Sequence, residues 1–377
     1  MKLLIIGGGM GGTILANNLA RRLKSELKSG KVSLALLSAS DQHAYLPGLL
    51  YVATGRMTPD ELYRDEASLL DPLIEFRVDP VEQFLLDKKQ VKTKSGQTFG
   101  YDLLVIATGS RIWPEAIPGL KENAEFFYTE ETAVKMFSRI RDFKAGKIVI
   151  AMGVPHKCPM APLEITLMLD DYFKERGLGD KVKIHYTYPI GRVHTLENVA
   201  KWAAPEFDRR GITYETLFNM KQVDGQKRIV YSEEGTEAGY DLLISIPAHK
   251  GMEVIEANKL GQNGWIPTHR ENLNMEGRDD VFVLGDTTNL PISKAGSTTH
   301  FEAEVLGENI AALVKFGAPV RKYDGKVFCF IQAGSEKATY AMFNYSRPPD
   351  PKPPTRTMHW FKLAYNKLYW LSARGLL

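Results

Sequence analysis

Three glycines near the N-terminus have a spacing that suits the binding of a phosphate group. Gly7, Gly9 and Gly12 form a G-x-G-x-x-G pattern after a short apolar run. The first glycine permits a tight turn, the second lets the backbone approach a pyrophosphate, and the third lets a helix pack closely on a strand. The positive end of that helix then faces the pyrophosphate. The pattern predicts dinucleotide binding.

The chain has only two cysteines, Cys158 and Cys329, among its 377 residues. A secreted disulfide scaffold would contain many more cysteines, and a zinc site would contain close-spaced pairs, so no metal site is expected. Two isolated cysteines are, by default, small buried apolar side chains. The segments around them must therefore show whether they have a chemical role.

The elements around the glycines form the unit that such a loop requires. Residues 2–6 and 32–37 have the composition of buried strands, and residues 13–23 have helical spacing. Strand, glycine turn, helix and strand together make the βαβ dinucleotide unit. An acidic residue usually ends the second strand and binds the adenosine ribose, but no acid stands there. Three nearby residues are candidates for that role: Ser38, Ser40 and Asp41.

Two later segments indicate that the dinucleotide is FAD. One predicted strand ends in Ala107-Thr108-Gly109, and another ends in Gly285-Asp286. Both resemble motifs of flavoproteins with two dinucleotide-binding domains. In those proteins the first motif marks the crossing between the domains, and the aspartate of the second holds the ribityl chain. Taken alone, Asp286 could also be a helix cap or a turn former, but the three motifs in this order predict FAD.

The same organisation repeats inside the chain. Residues 147–152 and 181–186 are predicted strands of a second βαβ unit, and residues 240–247 echo the earlier strand at 101–109. The echo predicts that the chain returns there to the first domain. The expected fold class is α/β, with two Rossmann-like dinucleotide-binding domains and a C-terminal amphipathic helical segment. The predicted division is an FAD-binding domain of residues 1–111 and 241–325, a second domain of residues 112–240, and a C-terminal membrane-associating region of residues 326–377.

The second domain lacks the glycines that a pyridine nucleotide requires. Its loop, Gly153 to Glu164, has the sequence GVPHKCPMAPLE, in which only Gly153 remains of the expected glycines. Bulky and imino residues fill the positions where the backbone must approach a phosphate. NAD(P)H is therefore not expected to be the electron donor. Cys158 stands in this altered loop.

This loop resembles the G-x-P-x-x-C-P-x-A-x-x-E element of sulfide:quinone oxidoreductases and flavocytochrome c sulfide dehydrogenases. The segments DLLISIPAHKG, GWIP and PISKAG also resemble elements of that family and occur in the family's order. Cys329 lies in the segment VFCFI, which is similar to the region of the family's last cysteine. The resemblance covers nearly the whole chain.

The resemblance implies a reaction as well as a fold. A disulfide or sulfur-bridged pair of Cys158 and Cys329 would accept hydrosulfide, leaving a persulfide on one cysteine and a thiolate on the other. Direct bonding requires Cα atoms about 4.4–6.8 Å apart. Two electrons would pass to FAD and then to a quinone, and sulfur would leave as polysulfide or elemental sulfur.

Further site residues follow from the same resemblance. Glu164 is a candidate proton acceptor near the flavin, and the alternative is a solvated helix carboxylate. Lys294 matches a flavin-side or quinone-side lysine, and the alternative is a surface lysine. His249 is a further candidate for a position near the cofactor.

One departure from the family pattern bears on how the cofactor is held. Sulfide:quinone oxidoreductases usually carry a third cysteine upstream of the second-domain strand, often as the site of covalent flavin attachment or of sulfur transfer. The corresponding residues, 124–129, include no cysteine. FAD is therefore expected to be bound non-covalently.

The C-terminal segment, residues 356–377, has apolar and aromatic residues at helical spacing and no acidic residue. A basic, aromatic-rich amphipathic helix suits the membrane interface, and the alternatives are docking on its own domain or a dimer contact. Quinones lie in the bilayer, so we expect a peripheral membrane protein. No signal peptide is visible, and no apolar run reaches the about 18 residues that would span a bilayer. Four basic residues belong to this segment: Arg356, Lys362, Lys367 and Arg374.

The overall charge limits the choice of partners. The net charge of +3, from 48 basic and 45 acidic residues, lacks the basic excess typical of nucleic-acid-binding proteins, so no nucleic-acid partner is expected. The expected partners are sulfide, a membrane quinone and the membrane surface, and a homo-oligomer is left open. Three alternative functions remain: a flavocytochrome c-type sulfide dehydrogenase, a type II NADH:quinone dehydrogenase, and a non-catalytic redox-sensing flavoprotein.

Overall fold

The structure, a computed structural model, describes residues 1–376 and alternates strands with helices along most of the chain. The helices are α1 (Met10–Arg22), α2 (Lys24–Lys28), α3 (Leu49–Val52), α4 (Glu66–Leu69), α5 (Leu120–Asn123), α6 (Glu130–Asp142), α7 (Ala161–Glu175), α8 (Glu197–Arg210), α9 (Glu253–Ala257), α10 (Gly296–Phe316) and α11 (Arg356–Ala373). The strands are β1 (Lys2–Ile6), β2 (Ser33–Ser38), β3 (Gln42–Ala44), β4 (Tyr63–Asp65), β5 (Glu75–Val78), β6 (Val81–Leu85), β7 (Gln90–Thr93), β8 (Thr98–Gly100), β9 (Leu103–Ile106), β10 (Ser110–Ile112), β11 (Gly146–Met152), β12 (Val182–Tyr188), β13 (Thr213–Thr216), β14 (Met220–Asp224), β15 (Ile229–Ser232), β16 (Glu237–Gly239), β17 (Leu242–Ile246), β18 (His249–Gly251), β19 (Val281–Val283), β20 (Val327–Gln332) and β21 (Ala338–Phe343).

A five-stranded parallel sheet forms the core of the first domain, in the order β19-β9-β1-β2-β5. Ile6 at the end of β1 lies opposite Leu37 on one side and Ile106 on the other. The apolar face of α1, including Ile14 and Leu19, is buried, as the helical spacing predicted. Because β1, β9 and β19 are neighbours and parallel, the three predicted motifs, each following one of these strands, meet at one edge of the sheet.

The second parallel sheet has the order β13-β12-β11-β17. Strand β17 pairs with β11 from Leu242 opposite Ile148 to Ile246 opposite Met152. The prediction that the chain returns to the first domain at residue 241 is therefore wrong, because residues 242–246 complete the second sheet. The chain turns back only afterwards, where β18 pairs with β10 in antiparallel fashion.

The likeness between residues 101–109 and 240–247, which led to the wrong domain boundary, has a structural reason. In the first domain, the antiparallel sheet β6-β7-β8 is followed by the parallel strand β9. In the second domain, the antiparallel sheet β14-β15-β16 is followed by the parallel strand β17. The echo therefore marks equivalent strands of two repeated domains, not the return to the first.

The C-terminal region consists of the β20–β21 hairpin and α11, joined by a segment that includes residues 347–354, which form neither helix nor strand. One face of α11 is buried through Lys362, Tyr369 and Ala373. The opposite face leaves large apolar side chains exposed: Trp360, Phe361, Tyr365, Leu368 and Leu371. Within residues 1–376, no helix combines the length and the apolar character needed to cross a bilayer.

A buried chain of polar side chains ties α11 to the first domain. The Tyr369 hydroxyl lies 2.6 Å from Nε2 of His43, and Nδ1 of His43 lies 2.7 Å from Oε2 of Glu66. The Thr13 hydroxyl donates to Oε1 of Glu66 over 2.6 Å. Buried polar groups are stable only when they are partnered. The C-terminal helix is therefore held on the domain through the turn that opens α1.

Candidate functional site

The glycine loop lies between β1 and α1. Gly7 has a φ of +116°, and a Cβ there would overlap the carbonyl oxygen of Ala107. A Cβ at Gly12 would overlap the carbonyl oxygen of Gly7, whereas a Cβ at Gly9 would meet no surrounding atom within 4 Å. No side chain of residues 1–376 caps the first turn of α1. Packing therefore requires Gly7 and Gly12, and the open space at Gly9 beside free N–H groups fits a pyrophosphate.

Ser38 ends β2, as predicted, and is buried next to the glycine loop. A Cβ at Gly8 would press against the Ser38 hydroxyl, which accepts a hydrogen bond from the Ser40 N–H over 3.2 Å. Ser40 and Asp41 are exposed. Ser38 is thus the candidate nearest to the loop, and its contact with the adenosine ribose stays a prediction.

Hydrogen bonds join the other two motifs at the edge of the first sheet. The Gly109 N–H donates to the Thr287 hydroxyl over 2.7 Å, and the Thr108 hydroxyl lies 3.4 Å from the same oxygen. The Ser110 hydroxyl donates to Oδ2 of Asp286 over 2.9 Å. The structure therefore brings the Ala-Thr-Gly and Gly-Asp turns into direct contact.

Two lysines surround Asp286. Nζ of Lys157 lies 3.5 Å from its Oδ2, and Nζ of Lys294 donates to its carbonyl oxygen over 3.3 Å. Burial disfavours the charged carboxylate, but the two ammonium groups outweigh this effect and hold the pKa of Asp286 below its ordinary value. Asp286 is therefore an ionised acceptor, which is what a ligand for the ribityl hydroxyls must be.

Lys294 connects this turn to the cysteine loop. Its Nζ donates to the carbonyl oxygen of Thr288 over 2.5 Å and lies 4.4 Å from the centre of the Trp265 ring. Burial lowers the pKa of Lys294. Its own carbonyl oxygen accepts a hydrogen bond from the Cys158 N–H over 2.9 Å. These contacts exclude the alternative of a freely solvated surface lysine.

The buried atoms without a hydrogen-bond partner within residues 1–376 include Nε2 of His249 and Oε1 of Glu302. Nδ1 of His249 lies 2.9 Å from the Pro247 carbonyl oxygen, and Oε2 of Glu302 accepts from the Gly285 N–H over 2.6 Å. Burial lowers the pKa of His249 to about 3 and raises that of Glu302 to about 7. Buried polar atoms rarely lack a partner, so these two fit a polar cofactor in the adjoining space.

Cys158 occupies the loop between β11 and α7 in a left-handed conformation, with a φ of +50°. Residues with a Cβ rarely adopt this conformation, and such an outlier points to a functional demand on the loop. Its carbonyl oxygen accepts from the Ala161 N–H over 3.0 Å. Pro155 and Pro159 offer no N–H donor to a phosphate. The loop therefore presents a thiol where a nucleotide-binding loop would present backbone amides.

Cys329 lies on β20, with its Sγ 3.8 Å from the Ser297 hydroxyl in the first turn of α10. Both cysteines pack against the same apolar cluster, and both carry free thiols in this structure. Burial raises the pKa of Cys158 to about 11 and that of Cys329 to about 12, and the charge of Cys158 contributes to the second shift. Both cysteines therefore border the same apolar cluster, and a bond between them stays a prediction.

Glu164 is buried in the first turn of α7, so the alternative of a solvated helix carboxylate is wrong. Its Oε1 accepts from the Gln332 N–H over 2.7 Å and pairs with Nζ of Lys362. The Glu164 and Lys362 side chains are each only 8% exposed. The sequence grouped Lys362 with the other basic residues of the C-terminal helix. The structure shows instead that Lys362 does not face solvent.

Residues 1–304 match the pyridine nucleotide-disulphide oxidoreductase family. The chain belongs to this family. The match agrees with the two repeated sheets, and it makes the chain an FAD-dependent oxidoreductase, as the three motifs predicted. The predicted α/β fold with two Rossmann-like domains is confirmed.

Sequence and structural relatives confirm the resemblance within this family. The chain is 25% identical over 361 residues to the mitochondrial sulfide:quinone oxidoreductase of Mus musculus, which covers 92% of this chain and 79% of that protein. It is 28% identical over 359 residues to the corresponding protein of Dictyostelium discoideum, covering 91% of this chain and 78% of that one. The X-ray structure of the Aquifex aeolicus sulfide:quinone oxidoreductase shares the fold, with a TM-score of 0.88, 23% identity and coverage of 99% and 91%.

Several residues that shape the site were missed from the sequence. Lys157 pairs with Asp286, Glu302 binds the Gly285 N–H, and Lys362 pairs with Glu164. Lys157 had a usable signal, because it precedes Cys158 in a segment already recognised. The other two are single charged residues in amphipathic helices, where no local pattern separates a buried charge from a solvated one.

We expect Gly9→Ala to preserve the fold but to weaken FAD binding about tenfold or more, or about 1.4 kcal/mol, because the new methyl group would occupy the space meant for a pyrophosphate. The measurement is a fluorescence titration of the apoprotein with FAD, with urea unfolding of the apoprotein as a check on folding. Gly100→Ala is the matched control, since its Cβ would have only one neighbour, at 3.9 Å. Unchanged FAD affinity in Gly9→Ala would mean that the pyrophosphate lies elsewhere.

Proposed function

We propose that this chain is a sulfide:quinone oxidoreductase that oxidises hydrosulfide through Cys158 and Cys329. One observation supports this proposal most strongly. The loop that would bind a nucleotide in the second domain contains Cys158 instead, and the Cys158 N–H donates to the carbonyl oxygen of Lys294 in the FAD-binding domain. The mouse and Dictyostelium relatives bear the same activity in their names. The chain's own cysteine chemistry and its likeness to those proteins therefore agree.

The proposed reaction begins from the disulfide form of the cysteine pair. Hydrosulfide attacks one sulfur, so that a new sulfur–sulfur bond forms while the bond between Cys158 and Cys329 breaks, leaving a persulfide and a thiolate. Over a full cycle, hydrosulfide loses two electrons and one proton to become zero-valent sulfur. The quinone gains those two electrons and two protons, one of them from water. FAD, held non-covalently by the first domain, supplies the two-electron carrier between sulfur and quinone.

The remaining site residues position the reactants in this proposal. Glu164 accepts a hydrogen bond from the Gln332 N–H at the end of the strand of Cys329, and it is the proposed acceptor for the proton that hydrosulfide releases as it becomes zero-valent sulfur. The backbone carbonyl of Lys294 binds the cysteine loop and its ammonium group binds the Asp286 turn, and this ammonium group is the proposed positive charge that attracts an anionic sulfur species. Gly7, Gly9, Gly12 and the turn at Ala107-Thr108-Gly109 are the proposed contacts of FAD.

We also propose that the exposed face of α11 rests on the membrane surface from which quinone is drawn. Trp360, Phe361 and Tyr365 are 68%, 57% and 43% exposed, and Lys367 and Arg374 are exposed beside them. Aromatic and basic side chains together favour the interface of an anionic bilayer. The buried face of the same helix docks on the protein's own domain, which was one of the alternatives for this segment.

Anaerobic addition of sulfide to the purified holoenzyme should bleach the oxidised flavin band, and Cys158→Ser or Cys329→Ser should slow this by about 100-fold or more, because the nucleophilic exchange needs both sulfurs. Stopped-flow absorbance measures the rate. A soluble quinone should then restore the band. Rapid bleaching by NADH would instead support the type II NADH:quinone dehydrogenase alternative. No bleaching by sulfide in wild type would end the proposal.

Replacing Trp360, Phe361 and Leu368 together by serine should weaken binding to vesicles of phosphatidylcholine and phosphatidylglycerol by about tenfold or more, because three exposed apolar side chains no longer enter the interface. Vesicle cosedimentation measures the partition. Phe316→Ser is the control, since this side chain is 79% exposed but lies at the end of α10. Equal binding of the triple variant and wild type would remove α11 from the membrane contact.

A further inference from the structure

Lys362 differs from the other basic residues of α11. Arg356, Lys367 and Arg374 are exposed, whereas Lys362 is buried on the face that docks against the protein. A buried ammonium group is costly unless an opposite charge is close. Glu164 provides that charge, and the pair joins the C-terminal helix to the helix that follows the cysteine loop.

Glu164 also contacts the element that carries the second cysteine. It lies in the first turn of α7, directly after the Cys158 loop, and it accepts a hydrogen bond from the Gln332 N–H at the end of β20, the strand of Cys329. One carboxylate is therefore shared by the two elements that hold the thiols. Its only ammonium partner within residues 1–376 comes from α11.

The two charges of this pair act in opposite directions on both thiols. After burial, the charge of Glu164 is the main group that raises the pKa of Cys158, and the ammonium groups of Lys362 and Lys157 lower it. For Cys329, burial, Cys158 and Glu164 raise the pKa, while the Ser297 hydroxyl and Lys362 lower it. Other titratable groups face the pair and the thiols: Tyr45 at Glu164, Tyr51 and His359 at Lys362, Tyr128 at Cys158, and Tyr365 at Cys329.

We propose that α11 is part of the cysteine site: Lys362 is a positioning residue that offsets the charge of Glu164, so that the seating of the C-terminal helix sets the reactivity of Cys158 and Cys329. The opposite face of α11 is exposed, so the same helix would contact the membrane surface and influence the two thiols. Displacing α11 would leave Glu164 as an uncompensated buried charge beside both thiols. The role of this coupling in turnover rests on the proposed function, whereas the thiol reactivity itself does not.

The test compares thiol alkylation in single-charge variants of the reduced holoenzyme. Because the thiolate is the reacting form, the iodoacetamide rate at a fixed pH below the thiol pKa follows the thiolate fraction. Lys362→Met should slow alkylation of both cysteines about threefold or more, and Glu164→Gln should speed it by a similar factor, the change expected for roughly half a pKa unit. Peptide mass spectrometry measures each cysteine separately over pH 7 to 10.

The controls separate charge from structure. Lys362→Arg keeps the charge and should alkylate like wild type, and Lys337→Met removes an exposed lysine of the neighbouring hairpin and should change nothing. If the substitutions only disrupted packing and exposed the thiols, alkylation would be faster in both Lys362→Met and Glu164→Gln. Changes of the same sign, or a Lys362→Met rate equal to that of Lys337→Met, would overturn the proposal. If Lys362→Met does not fold, a Glu164→Gln rate no faster than that of wild type still contradicts the proposal.

The readout requires neither sulfide nor quinone. If the protein fails to oxidise sulfide but the alkylation rates of the two variants change in opposite directions, the proposed function is wrong and this inference stands. If the protein oxidises sulfide but the alkylation rates do not change, the proposed function stands and the inference is wrong.

Discussion

Two short contacts between the domains determine the layout of this molecule. The Cys158 N–H donates to the Lys294 carbonyl oxygen over 2.9 Å, and Nζ of Lys157 lies 3.5 Å from Asp286. Adjacent residues of one loop thus bind the two ends of the segment from Asp286 to Lys294 in the other domain. A loop built to hold a pyridine nucleotide would have its amides directed at phosphate. This loop instead places Cys158 against the residues that follow the Gly285-Asp286 turn.

The sequence predicted the parts of the site that depend on local geometry. Gly7 and Gly12 were recognisable because only a residue without a Cβ fits between the carbonyl groups there, and the structure contains those close approaches. Asp286 was recognisable because it follows a buried strand in a fixed motif. The parallel order of β1, β9 and β19 then brings these motifs together, so the flavin edge follows from short segments and one topological rule.

The sequence failed where a tertiary partner decides the outcome. Lys362 and Lys367 each precede a leucine in the same helix, yet the first is buried against Glu164 and the second is exposed. Nothing within one helix turn encodes that difference. The error at residue 241 has another cause, because β9 and β17 are equivalent strands of repeated domains and their likeness could not reveal which sheet each one joins. Neither cysteine pairing nor the nature of the ribose contact can be read from spacing alone.

The central claim is that Cys158 and Cys329 act as one redox pair. Proteolysis of the quinone-oxidised holoenzyme without reductant, followed by mass spectrometry, tests this most directly. The account predicts that the peptides containing the two cysteines are recovered as one linked species, joined directly or through added sulfur atoms, and that reduction separates them. Recovery of both cysteines as free thiols after full oxidation of the flavin by quinone would contradict it.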